Sequence, residues 1–103
     1  MVPGHTGIQV EEWIKKEQKI HGVESAFLGQ YGYPANIILS VNDVVVHGVP
    51  MDIPFESGDV LKVDYGIRYK GYLTDAATTI ILGTPSNLRH QECIDVAREA
   101  LRL

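Results

Sequence analysis

From Val60 to Leu82 the chain reads VLKVDYGIRYKGYLTDAATTIIL. In the first half Leu61, Val63, Tyr65, Ile67 and Tyr69 are apolar or aromatic, while Lys62, Asp64, Gly66 and Arg68 between them are not. That two-residue period predicts a half-buried strand. Tyr72 to Leu82 is rich in Thr, Ile, Leu and Tyr, and Lys70-Gly71 between the halves offers a two-residue loop whose glycine accepts positive φ. A tight antiparallel hairpin is the simplest arrangement.

Elsewhere the period changes. Ile8, Val10, Trp13, Ile14 and Ile20 fall near one side of a helix over Ile8–His21, with Thr6 as N-cap and Gly22 as the stop. Its acidic residues precede its lysines, the order a helix dipole favours, and Trp13 is expected to anchor the core. Glu24 to Pro34 predicts a short strand followed by a Gly/Pro loop. Two apolar runs, Ile37–Val41 and Val44–Val46, predict strands joined by an Asn42-Asp43 turn, and the second runs into His47-Gly48-Val49-Pro50. After the loop Met51–Asp59 and the hairpin, Ser86 or Asn87 caps a last helix to Leu103, with Ile94, Ala97 and Leu101 facing inward. The fold class expected from these elements is α+β, a curved antiparallel sheet with helices on one face.

Composition narrows the functions. The 103 residues suffice for one domain, and 45% hydrophobic content supports a modest core. A net charge of −4 and a pI near 5.4 argue against nucleic-acid or anionic-membrane partners, which call for a basic face. No apolar run approaches the ~20 residues of a membrane span, and MVPGHTG has neither region of a secretory signal. Cys93 is the single cysteine, so a reducing cytoplasm is expected, with Cys93 a small packing residue.

The hairpin also carries the candidate chemistry. If Tyr69 faces Tyr72, then Asp64 faces Ala77 and Asp75 faces Gly66, so both carboxylates leave the same side as a diagonal pair roughly 7–8 Å apart at the backbone. Like charges so placed call for a counter-charge, and a hard divalent cation suits oxygen donors. Two ions about 3.5–4 Å apart could share one carboxylate. The same pair could simply stand in solvent, and a one-residue bulge would send one of them to the other face. His47, where a buried strand meets a Gly/Pro loop, either faces a cleft or fills a structural role.

SVNDVVVHGVP (Ser40–Pro50), GDVLKVDYG (Gly58–Gly66) and GYLTDAATTIILG (Gly71–Gly83) occur in this order, after PGHTG and with GYP at Gly32–Pro34. With the eleven-residue step from Asp64 to Asp75, these motifs resemble the first half of a type I methionine aminopeptidase, a metallopeptidase family with the pita-bread fold. The resemblance covers nearly all of the chain. It implies that Asp64 and Asp75 bind a dinuclear divalent centre (Co, Mn, Fe or Zn), with Asp75 bridging both ions. It further implies that His47 lies outside the metal shell and hydrogen-bonds the substrate during catalysis. Thr79 would stand behind the metals, and Tyr33 would line the methionine side-chain pocket. The substrate would be a peptide or nascent chain losing its initiator methionine.

Members of this family are about twice as long, their remaining ligands being a histidine and two glutamates from the second half. Residues 1–103 are therefore expected to be the N-terminal portion of a catalytic domain, truncated at both ends, weak in metal binding and inactive alone. Phe27, Gln30 and Ile38 stand where some relatives carry cysteine or tyrosine. The two family halves are related by an approximate two-fold, so an isolated half is expected to dimerise or aggregate through the surface its counterpart covers. The alternatives are another pita-bread hydrolase, such as a proline-specific aminopeptidase or a creatinase-like enzyme, and a non-catalytic binding homologue.

Overall fold

The computed structural model describes residues 1–103. Helix α1 (Gly7–His21) is followed by strands β1 (Glu24–Ser25), β2 (Ile38–Val41), β3 (Val60–Tyr69) and β4 (Tyr72–Ile81), then by helix α2 (Leu88–Arg102). All pairings are antiparallel and all involve β3. Strand β4 pairs with β3 along its whole length, so β1 and β2 share the opposite edge, at Ile67–Arg68 and Leu61–Asp64 respectively. The outer edge of β4 has no partner strand.

The hairpin forms in the expected register, with Tyr69 opposite Tyr72, Asp64 opposite Ala77 and Gly66 opposite Asp75. Its two-residue loop has φ of 49° at Lys70 and 84° at Gly71, the double positive φ of a primed turn, whose twist matches that of the strands. One face of the sheet builds the core: Leu39 and Leu61 meet Val10 of α1, together with Ile37, Phe55 and Leu82. Leu61 is fully buried.

Helix α1 starts at a complete capping box, in which the Thr6 hydroxyl accepts from Gln9 N and the Gln9 side chain accepts from Thr6 N. Gly22 ends it in the left-handed region at φ 64°. No acidic residue lies in its first turn, since Glu11 and Glu12 begin one turn later, and the dipole is matched only by Lys19 and His21 at the far end. The buried stripe is Gly7, Val10, Glu11 and Gln18, with Ile14 half-buried. Ile8 and Ile20 are exposed, and Trp13, expected in the core, is 39% exposed with its ring edge-on to His5 at 4.9 Å.

The stripe is displaced because Glu11 turns inward. Its carboxylate accepts from Asn36 N at 2.9 and 3.1 Å and from Asn36 Nδ2 at 2.6 Å, tying α1 to the chain just before β2. A carboxylate can be buried when its lone pairs are occupied in this way.

Val44–Val46 form no strand and are exposed. Asn42, at φ 51°, turns the chain and is then held to the start of β3, its Oδ1 accepting from Val60 N and its Nδ2 donating to Asp59. The free edge of β2 is engaged only by Gly48, whose carbonyl accepts from Leu39 N at 3.0 Å, so the valines bulge outward as a loop. In α2, capped by Asn87, only Ile94 is buried; Leu101 and Cys93 are exposed, because the helix touches the sheet only alongside β4.

Replacing Glu11 by alanine removes the only acceptor side chain for the buried Asn36 amide. Chemical denaturation should show a loss of about 2–3 kcal/mol, and Glu11→Gln, which keeps one acceptor oxygen, should lose less.

Candidate metal centre

In β3 the even-numbered residues leave the core face, so Lys62, Asp64 and Gly66 project to the other side. Across the register Asp75, Ala77 and Thr79 of β4 share that side. Asp64 lies in the middle of the sheet, with Ile38 of β2 on one flank and Ala77 on the other, and is half-buried. Asp75 sits on the edge strand and is exposed.

Both aspartates open into a cleft of about 750 Å³ that is also lined by Phe27, Tyr33, Ile38 and His47. Gly66 makes the cleft wall possible. A Cβ there would lie 2.8 Å from Thr74 O and 3.0 Å from the Phe27 ring, so only glycine lets Ala26 and Phe27 descend onto the sheet, where Ala26 N donates to Gly66 O. Gln30 and Tyr31 complete that side of the cleft.

The electrostatics of the pair are unfavourable without a cation. Asp64 Oδ1 is buried and receives no hydrogen bond. Burial is the largest cause holding the Asp64 carboxyl above its ordinary value; proton sharing with and repulsion from Asp75 add to it, and His47 opposes it. A buried oxygen without a donor, beside a second carboxylate, is what a hard divalent ion would relieve. The residues present fit such an ion as far as they go. No group of three or more His, Cys, Asp or Glu side chains is gathered anywhere to hold a metal, so an ion between Asp64 and Asp75 would need further donors.

His47 is exposed and adopts φ 58°, an uncommon conformation for a residue with a side chain. Tyr33 presents its ring to the cleft, while its hydroxyl lies 2.8 Å from Ile37 O and 2.9 Å from Gly48 O. Burial pushes the Tyr33 phenol up to about 12, with Glu11 and Asp64 adding to the shift, so it remains a donor at neutral pH. Thr79 is on the aspartates' side of the sheet but lines a second cavity, of about 540 Å³, between β4 and α2; Asp64 borders both. Ser40, Asn36 and Glu11 escaped the sequence reading, because a polar residue within a strand or a helical stripe carries no signal of which buried partner it meets.

The sequence profile of metallopeptidase family M24 matches residues 1–103. The chain is 34% identical over 101 residues to a methionine aminopeptidase of Mycoplasma capricolum, aligning 98% of this chain with 40% of that one. It is 36% identical to methionine aminopeptidase A of Synechocystis, with the same coverage. The crystal structure of a methionine aminopeptidase from Thermotoga maritima superposes with a TM-score of 0.92 at 40% identity, over 98% of this chain and 41% of that one. The chain thus spans about 40% of the length of the relatives it matches.

The raised Asp64 carboxyl has a consequence for stability. A carboxyl with a higher pKa folded than unfolded contributes fully below the unfolded value, and its contribution falls as pH rises through the folded value. In the metal-free state, Asp64→Asn should therefore melt above the parent at neutral pH, with the gap closing on acidification. Manganese or cobalt should reverse the order: at free metal ten times Kd the parent gains about 1.4 kcal/mol, and Asp64→Asn gains much less. Thermal melts with and without metal check both.

Proposed function

The chain belongs to metallopeptidase family M24, and from this membership we propose that it supplies the N-terminal part of the active site of a methionine aminopeptidase, acting in the cytoplasm on the initiator methionine of nascent chains. Its fold is the corresponding part of the pita-bread architecture. One observation carries the reading: Asp64, Asp75 and His47, drawn from three separate motifs, line a single cleft.

Asp64 and Asp75 would hold divalent metal, together with ligands from protein beyond this segment. When bound, such ions supply Lewis-acid activation of water and of the scissile carbonyl. The chain's own residues supply position. The central strand fixes Asp64, flanked on both sides by neighbouring strands, and the register fixes Asp75 diagonally from it. His47 is placed to donate a hydrogen bond to the substrate near the scissile peptide, stabilising charge that develops there. Phe27, Tyr33 and Ile38 form the apolar wall against which a methionine side chain would lie. Thr79 supports the site from behind, on the same side of the sheet.

The uncovered surface agrees with this assignment. Only 18 of 103 residues are buried, and Tyr72 and Leu73 of β4 with Leu88, Val96 and Leu101 of α2 are exposed. That is too much apolar area for a surface meant to face water, and the remaining three-fifths of the relatives' length is the partner that would cover it.

The test is a chimera joining residues 1–103 to the C-terminal part of the Thermotoga maritima enzyme. It should release methionine from Met-Ala peptides in preference to cleaving Xaa-Pro peptides, lose activity with Asp64→Asn, and lose about 10²-fold in kcat with His47→Ala. A folded, metal-binding chimera without peptidase activity refutes the assignment. The 103-residue chain alone should show no turnover with added cobalt or manganese and should sediment as a dimer or larger species.

A further inference from the structure

Gly48, next to His47, is held by three hydrogen bonds and by a close backbone approach to β2. Gly48 lies against β2 so closely that a Cβ would sit 2.8 Å from Ser40 Cα and nearer still to the Leu39 oxygen, so only glycine fits. Its N–H donates to Ser40 Oγ at 3.0 Å, and its carbonyl accepts from Leu39 N at 3.0 Å and lies 2.9 Å from the Tyr33 hydroxyl. Ser40 is 1% exposed, so its hydroxyl has no competing water. The single Tyr33 O–H proton is shared between Gly48 O and Ile37 O, so the hydroxyl ties the glycine to the start of β2.

The residue before this glycine is the one forced to positive φ, at 58°, while Val44, Val45 and Val46 ahead of it lie exposed. An isolated residue with φ of this sign costs on the order of 1 kcal/mol or more and persists only where its surroundings impose it. Here those surroundings are Ser40, Leu39 and Tyr33, all acting on Gly48. Without them the loop has no bond that fixes the direction of the imidazole.

We propose that Tyr33 and Ser40 are positioning residues: their hydroxyls lock Gly48 to β2, and the locked glycine holds His47 in the left-handed conformation that turns its imidazole over the Asp64–Asp75 cleft. This extends the peptidase reading given above and assigns Tyr33 a task its ring alone does not perform. Tyr33→Phe keeps the cleft wall and removes only the hydroxyl; Ser40→Ala removes the acceptor for Gly48 N–H.

Two measurements test it, and they fail separately. By NMR of the 103-residue chain, each variant should speed hydrogen exchange at Gly48 about tenfold, and the backbone coupling and Cα shift of His47 should leave their left-handed values. The β3 amides should be unchanged, and Ser40→Thr, which keeps a hydroxyl at this position, should retain the parent signals. In the chimera, Tyr33→Phe should lower kcat about tenfold with KM within about twofold, the pattern of a group acting on the transition state alone. Unchanged His47 signals overturn the lock. A changed His47 with kcat intact, or a loss confined to KM, overturns its catalytic role. An inactive parent chimera counts against the peptidase assignment and leaves the NMR result to decide the lock.

Discussion

The pairing register of β3 with β4 is the constraint on which the rest of the molecule depends. It is set at both ends, by a two-residue loop with positive φ at Lys70 and Gly71 and by Leu61, fully buried on the core face. Side chains alternate, so a slip of one residue in β4 would carry Asp75 to the side occupied by Ile80 and the core. The same slip would carry Ile80, which packs against the core, to the opposite face. The hydrophobic pattern that builds the core thereby also dictates that the two aspartates emerge together on the opposite face.

That face holds several polar groups in uncommon arrangements. Asp64 has a buried oxygen without a donor and sits beside a second carboxylate. His47 has a positive φ, uncommon for a residue with a side chain. Tyr33 uses its hydroxyl on two backbone carbonyls and leaves its ring as wall. The first two are unfavourable locally, and all three residues border one cleft. Buried polar atoms without a partner occur elsewhere too, at Gln18 Nε2 and His90 Nδ1, but the one on Asp64 shares its cleft with a second carboxylate and with a residue of positive φ.

The elements legible in the sequence were those specified by local physics. The hairpin, its register, the Thr6 cap and the Gly22 stop all follow from period, turn chemistry and capping preferences, which act over a few residues. Illegible were the features decided by a distant partner. Glu11 looks like a solvent-facing residue until Asn36, far along the chain, supplies three donor contacts to it. Val44–Val46 have strand composition but no strand, because Gly48 already occupies the edge of β2. Trp13 lies outside the core because the inward turn of Glu11 rotates the buried stripe away from it. The candidate site divides the same way: the aspartates follow from alternation, while the Ser40 and Tyr33 contacts at Gly48 depend on how two loops meet.

The carboxylate pair and the uncovered apolar surface of the sheet lie close together. Asp75 is the exposed member of the pair because β4 has no neighbour on its outer edge, and that same edge displays Tyr72 and Leu73. A ten-residue strand with a free edge and exposed apolar side chains is unstable against association unless something pairs with it or covers it. Protein arriving there would bury the apolar residues and at the same time bring its own side chains within reach of the open side of the carboxylate pair. Cover for the apolar residues and further donors for the carboxylate pair would then come from one and the same surface, beside a pair that gathers no third His, Cys, Asp or Glu of its own.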